Sequence, residues 1–310
     1  MATGYYSHPD CRRHDMGAGH PECPERLSAI EDHLLATGLE PVLARREASE
    51  VSDRDLEFAH TAGYVAQIKD FMQQVAASGE SRAVDPDTMV CPHTLSAALH
   101  AAGAAVAATD AVIDRELDNA FCAVRPPGHH ATRSQAMGFC FFNNVAVAAR
   151  HALDVRGLKR VAIVDFDVHH GNGTEDILAG DARALMVSFF QHPFYPYSGA
   201  EGAAENMLNL PVPAYTKGME IRELVEMLWM PRLERFMPEM IFVSAGFDAH
   251  REDDLGQLGL VEADYEWITY RLVDIAERYS KGRSCPASKV ATTSVRWPAA
   301  WRRTSGCWPV

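Results

Sequence analysis

The chain has no Cys-x-x-Cys pair among its seven cysteines, and their number is odd. That argues against a disulfide framework. The thiols fit a reducing compartment, and a cytoplasmic location is expected. No apolar run reads as the roughly 20 residues of a membrane span. Met1–Pro9 lacks a signal-peptide pattern, so no membrane role is expected. Positive charge is also scarce. Twenty-nine Lys and Arg stand against 42 Asp and Glu, a net charge of −13. This argues against nucleic acid as the main partner. Internal repeats and low-complexity linkers are absent. With 310 residues, 47% of them hydrophobic, the chain reads as a single domain with a large core. The last thirty residues lack acid altogether. Lys281–Val310 holds six Lys or Arg, no Asp or Glu, and three of the five Trp, leaving residues 1–280 with a net charge of −19. No Gly-Gly pair occurs anywhere, and no tyrosine follows Tyr279.

What is present alternates. Apolar runs at Phe121–Val124, Val161–Val164, Ala184–Ser188 and Met240–Ser244 predict buried strands. Helical spacing is found from Pro24-Glu25-Arg26-Leu27 onward, then at Ala62–Val75, Thr94–Ile113, Asn144–Leu153, Glu220–Phe236 and Ala263–Tyr279. The alanine-rich Thr94–Ile113 predicts a buried packing helix. Strands alternating with helices predict a mainly parallel sheet covered on both faces. Polar or Gly/Pro-rich segments follow several strands, where open α/β sheets place their sites.

The stretch Asp165-Phe-Asp167-Val-His169-His-Gly-Asn-Gly carries the most chemistry. An extended run there would put Asp165, Asp167 and His169 on one face. Carboxylates and imidazoles crowded after a core strand are costly unless paired or bound to metal. Arg125-Pro-Pro-Gly-His129-His130 follows another strand. Imidazole beside a metal-activated water is a natural general base. Val243-Ser-Ala-Gly246-Phe-Asp248 adds a carboxylate, with Gly246 expected to permit a tight turn. Asp167, His169 and Asp248 together suit a three-ligand zinc site with an open position. Gly138-Phe139-Cys140 and Phe194-Tyr195-Pro196 place aromatics near the same rim. A narrow channel for an aliphatic chain is expected there, with Cys140 as a structural thiol.

These motifs resemble the zinc-dependent histone deacetylase family, which includes bacterial deacetylase-like amidohydrolases. The matching segments are GHPECPERL (19–27), RPPGHH (125–130), GFCFFNN (138–144), DFDVHHGNGT (165–174) and SAGFDAH (244–250). The resemblance runs from about Tyr5 to Gly282. It implies a three-layer α/β/α arginase-like fold with a central, mainly parallel sheet, over a deacetylase domain at 1–282. It implies zinc on Asp167, His169 and Asp248, and an acid/base pair at His129 and His130. Asp165 would bond His129, and Asn172 would support His130. Gly138, Phe139 and Tyr195 would line the acyl-lysine tunnel, with Tyr195 where the family usually has Phe. Structural potassium would sit near Asp165, Asp167, His169 and Ser188. The implied reaction is hydrolysis of an acetyl or short-acyl amide. The partner would be an acetylated lysine peptide or a small acyl amide. Leu255 occupies the position where some polyamine-selective relatives carry a gatekeeper Glu, which favours acyl-lysine over acetylpolyamine.

One family feature is missing. The oxyanion-stabilising Tyr of a Gly-Gly-Tyr turn has no counterpart, and residues 283–310 read as an atypical tail replacing the family's last strand, turn and helix. Codons permissible for Ala287–Val295, read two bases along, give Leu-Glu-Gly-Gly-Tyr-Asn-Leu-Ser. A frameshifted terminus is therefore expected, and the source DNA tests it. The competing readings are a non-catalytic acyl-lysine-binding pseudoenzyme and a two-metal arginase-like hydrolase.

Overall fold

The computed structural model describes residues 2–280 and the strand at 284–287. In chain order, β1 (Thr3–Ser7) leads through a 3-10 turn (Pro9–Arg12) to α1 (Glu25–Thr37) and β2 (Leu43–Glu47). Next come α2 (Asp53–Ala59), α3 (Ala62–Ser78) and a hairpin of β3 (Arg82–Asp85) and β4 (Thr88–Val90). α4 (Thr94–Ile113), β5 (Asn119–Cys122), α5 (Asn144–Arg150), β6 (Val161–Asp165) and α6 (Asn172–Leu178) follow. The chain continues with β7 (Ala184–Gln191), β8 (Met207–Val212), α7 (Gly218–Leu224), α8 (Met230–Phe236), β9 (Met240–Ser244), α9 (Glu262–Tyr279) and β10 (Ser284–Ala287).

Eight strands form one sheet in the order β2-β1-β5-β10-β9-β6-β7-β8. Every neighbouring pair is parallel. Strands β6, β7 and β9 are buried along their whole length. Their unbroken apolar runs are what helices on both faces require. The edges are polar or interrupted. β2 reads Leu-Ala-Arg-Arg-Glu and is largely exposed. β8 carries Pro211, which removes a ladder donor where no further strand needs it.

β10 lies between β5 and β9. It falls within the segment expected to be the atypical tail. The rest of that tail, with the expected loss of the tyrosine and the frameshift, lies outside the described residues.

α4 has the predicted bounds. It is long and apolar enough to cross a membrane by length and composition, which corrects the expectation that no run approaches a span. It is nevertheless a core helix, with Ala97, Ala101, Ala104, Ala105 and Ala108 fully buried. The small side chains let it pack closely on α5 and β5. The helix expected at Glu220–Phe236 is found, running through α7, a wide helical turn (Val225–Trp229) and α8. Pro231 in the first turn of α8 offers no N–H to the preceding turn, so the helix widens there.

Candidate active site

The register aligns the strand ends. Asp165 of β6 lies opposite Ser244 of β9 on one side and Ser188 of β7 on the other. The loops after β5, β6 and β9 therefore leave the same edge together, in the crevice position of a parallel sheet.

The extended run expected through His169 ends at Asp165. Beyond it the backbone turns, and side chains hold the turn. Asp167 N–H donates to Asp165 Oδ1 at 3.1 Å, and His169 N–H donates to Asp167 Oδ1 at 2.9 Å. Carboxylates locking nearby backbone donors, rather than strand alternation, bring these groups together. Asp248 enters from the β9 loop and accepts Val168 N–H at 2.9 Å. Asp167, His169 and Asp248 then offer three ligand atoms within 4.8 Å of one another. His169 Nδ1 sits 3.0 Å from an oxygen of each carboxylate. Burial disfavours a charged imidazole here, but hydrogen bonds and charge from Asp167 and Asp248 outweigh it and push His169 up to about 9. Two buried carboxylates thus converge on one proton, an arrangement that a divalent cation would satisfy better. Gly246 matters for clearance rather than for the turn expected of it: a Cβ there would lie 2.0 Å from Asp167 Oδ2.

Beside this triad stand the two histidines of the β5 loop. His129 Nδ1 is 2.8 Å from Asp165 Oδ2, and its Nε2 is 3.9 Å from Asp167 Oδ1. His130 Nδ1 is 2.7 Å from Asn172 Oδ1 at the start of α6. Ring centroids of the pair are 3.9 Å apart. Gly138 has φ +55°, and a Cβ there would fall 2.5 Å from the His130 ring, so only glycine suits this wall.

A cavity of about 390 Å³ opens above, lined by His130, His169 and Asp248 below and by Gly138, Phe139, Phe194, Tyr195 and Leu255 higher up. Phe194 stacks on His169 at 5.3 Å, and Tyr195 meets His130 edge-on at 5.1 Å. The Tyr195 hydroxyl is buried without a hydrogen-bond partner among the described residues. Burial pushes its pKa above the usual phenol value, and the charge of Asp87 adds to the effect, so the hydroxyl stays protonated. Ser188 is buried on β7 beside Asp165 and does not line this cavity. Cys140 is buried, with its thiol on the Gly138 carbonyl.

Sequence reasoning missed several neighbours. Arg26, Asp87 and Asp254 line the same cavity. Arg125 is fully buried. It clamps Glu22 through Nε at 2.5 Å and Nη2 at 2.6 Å, and it bonds the carbonyls of Cys11 and His14. Burial opposes ionisation of Glu22, but His14 and Arg125 outweigh it and hold the carboxyl well below the usual range. This clamp ties the His129–His130 loop to the N-terminal segment. Its signal was available in GHPE and RPPG, each quoted as a motif without a role.

A family model described as Histone deacetylase domain matches residues 20–286. The chain belongs to the histone deacetylase family. This deacetylase is 40% identical over 273 residues to the histone deacetylase-like amidohydrolase of Pseudomonas aeruginosa, covering 86% of this chain and 70% of that one. A probable deacetylase of Archaeoglobus fulgidus is 34% identical, covering 91% of this chain and 79% of its own. The crystal structure of the HDA15 HD domain superposes with a TM-score of 0.91 at 29% identity, covering 99% of this chain and 89% of that chain. The expected three-layer arginase-like fold and the hydrolase class are thereby established for this deacetylase.

Proposed function

We propose that this deacetylase removes acetyl or short acyl groups from lysine side chains in a zinc-dependent reaction. One observation carries the reading: an ion-sized Asp167–His169–Asp248 triad lies beside two histidines, each backed by its own hydrogen-bond acceptor. Asp167, His169 and Asp248 would hold the zinc. When bound, it would serve as a Lewis acid that polarises the acyl carbonyl and acidifies water.

The chain's own groups do the rest. Asp165 accepts the Nδ1 proton of His129, which leaves the Nε2 lone pair facing the triad to take a proton from water. Asn172 orients His130 in the same way. The pair returns a proton to the leaving amine. Phe139, Phe194, Tyr195 and Gly138 enclose an aliphatic stem and exclude water from it. Leu255 at the mouth supports acyl-lysine over acetylpolyamine. Structural potassium near Asp165, Asp167, His169 and Ser188 belongs to the same proposal, as does a cytoplasmic location.

The sequence has no tyrosine after Tyr279, and loss of one oxyanion donor costs roughly 10²–10³ in rate. Turnover by this chain is therefore expected to be weak. The test is bound zinc together with hydrolysis of an acetyl-lysine peptide and of acetylputrescine, against an Asp167→Ala control. A metal-free protein, or hydrolysis unaltered in the control, overturns the reading. Family-like turnover overturns the weakness alone, and preference for acetylputrescine overturns the substrate choice.

A further inference from the structure

Away from the cavity, at the β1–β2 edge of the sheet, His8, Asp10 and His100 each bring one ligand atom to within 4.8 Å of the others. We propose that these three side chains form a second divalent-metal site, for a first-row transition ion such as zinc, with Glu47 as its supporting carboxylate.

The residues come from separate elements. His8 follows β1, Asp10 lies in the 3-10 turn Pro9–Arg12, His100 lies on α4, and Glu47 ends β2. The hydrogen bonds decide which ring nitrogens are available. His100 Nδ1 lies 2.8 Å from the Ser96 carbonyl, so it carries the proton and Nε2 carries the lone pair. His8 Nδ1 accepts the Asp10 backbone N–H at a long 3.2 Å, so its proton is on Nε2, which faces Glu47 Oε1 at 3.4 Å. His100 therefore keeps its Nε2 lone pair, whereas the His8 Nδ1 lone pair is engaged by the Asp10 N–H, a contact that an ion must displace; each ring turns its N–H towards an oxygen. Metal-bound histidines are supported in this way. The His8 lone pair already lies 3.8 Å from Asp10 Oδ2. Ser96 Oγ donates to Asp10 at 2.5 Å and holds that carboxyl below its ordinary range.

Two imidazoles and a carboxylate, with a position left for water, are a zinc-type donor set rather than the all-oxygen set of calcium or magnesium. One Asp and one Glu balance a dication. The His8 and His100 rings stack at 3.5 Å and 5°. Capturing an ion requires them to fan apart, and partial exposure permits it: the side chains of His8 and Asp10 are 16% and 23% accessible. The ion would be structural. The turn that carries Asp10 continues into Cys11, whose carbonyl accepts Arg125 Nη1 at 2.8 Å. Fastening that turn to α4 would brace the clamp behind the His129–His130 loop.

The experiment is equilibrium dialysis of the full chain against micromolar zinc, with metal counted by atomic emission and melting followed by circular dichroism. Wild type should hold two ions. His100→Gln should hold one, Asp167→Ala one, and the double variant none. Zinc should still raise the melting temperature of Asp167→Ala and fail to raise that of the double variant. His8→Asn should repeat the His100→Gln result, so a single misfolded variant does not decide the matter. Unchanged metal content in both His100→Gln and His8→Asn overturns the second site. One ion in wild type, lost in Asp167→Ala and kept in both histidine variants, overturns it while leaving the catalytic site intact. One ion that is kept in Asp167→Ala and lost in the histidine variants supports this site and overturns the catalytic one.

Discussion

Replacing Asp165 by Asn keeps the side chain's shape but can place an N–H where His129 Nδ1 finds a carboxylate oxygen at 2.8 Å. The imidazole must then change tautomer or turn, and its Nε2 lone pair no longer faces the triad. General acid–base groups are worth roughly 10²–10⁴ in rate, so Asp165→Asn should lower kcat by about that factor with KM little changed. Steady-state kinetics on an acetyl-lysine peptide checks this, and an unchanged kcat would remove His129 from proton transfer. Tyr195→Phe works the other way. Its hydroxyl is buried without a partner among the described residues, and such a group costs about 1–3 kcal/mol of desolvation. The substitution should leave urea stability equal or higher, by about 1 kcal/mol; a clear drop would show that the hydroxyl has a stabilising partner. At this scale much was legible. Asp165, Asp167, His169, His129, His130 and Asp248 are polar groups set directly after apolar runs, and burial makes that pattern costly without a purpose. The pairing of Arg125 with Glu22 was not read from its motifs, because a buried arginine reads like a surface one until its carboxylate partner, distant in sequence, is brought to it.

Elements show the same division. β6, β7 and β9 could be read directly, because central parallel strands are apolar on both faces. β2 and β8 could not, because edge strands carry charge or proline and give no run; the interior β1 could not because Thr3-Gly-Tyr-Tyr-Ser is short and holds no aliphatic run. Helix bounds were sound where one face packs, as in α4 and at Phe236, but the widening before Pro231 was not legible, because hydrogen bonding rather than periodicity sets it. A further joint escapes periodicity altogether. His151, in the wide turn after α5, lies 2.8 Å from Asp55 of α2 through Nδ1 and 2.8 Å from Asp110 of α4 through Nε2. Burial opposes its protonation, but the two carboxylates outweigh it and raise the pKa above 6.5. The folded state therefore binds this proton more tightly than the unfolded chain. The stabilisation is complete below about pH 6.5 and is lost as pH rises through the elevated folded value. Urea midpoints measured from pH 6 to 9 should fall in wild type, and the fall should shrink in His151→Gln. Parallel curves for the two proteins would refute the joint.

Across the whole molecule, the site joins loops from strands that are neighbours only after folding. Asp167 comes from the β6 loop and Asp248 from the β9 loop, and without an ion their like charges meet across one imidazole. Like charges in a buried site oppose folding, whereas a cation bound only by the folded state stabilises it by mass action. The two effects predict a reversal. In chelated protein, Asp248→Asn removes one of the opposed charges while its amide oxygen can still accept Val168 N–H, so the variant should melt at or above wild type. With saturating zinc, wild type gains a charged ligand that the variant lacks, so the order should invert. Paired melting curves with chelator and with zinc test this directly. If Asp248→Asn is less stable by the same margin in both conditions, the carboxylate acts through hydrogen bonding alone, and the two loops are not held together by a shared ion.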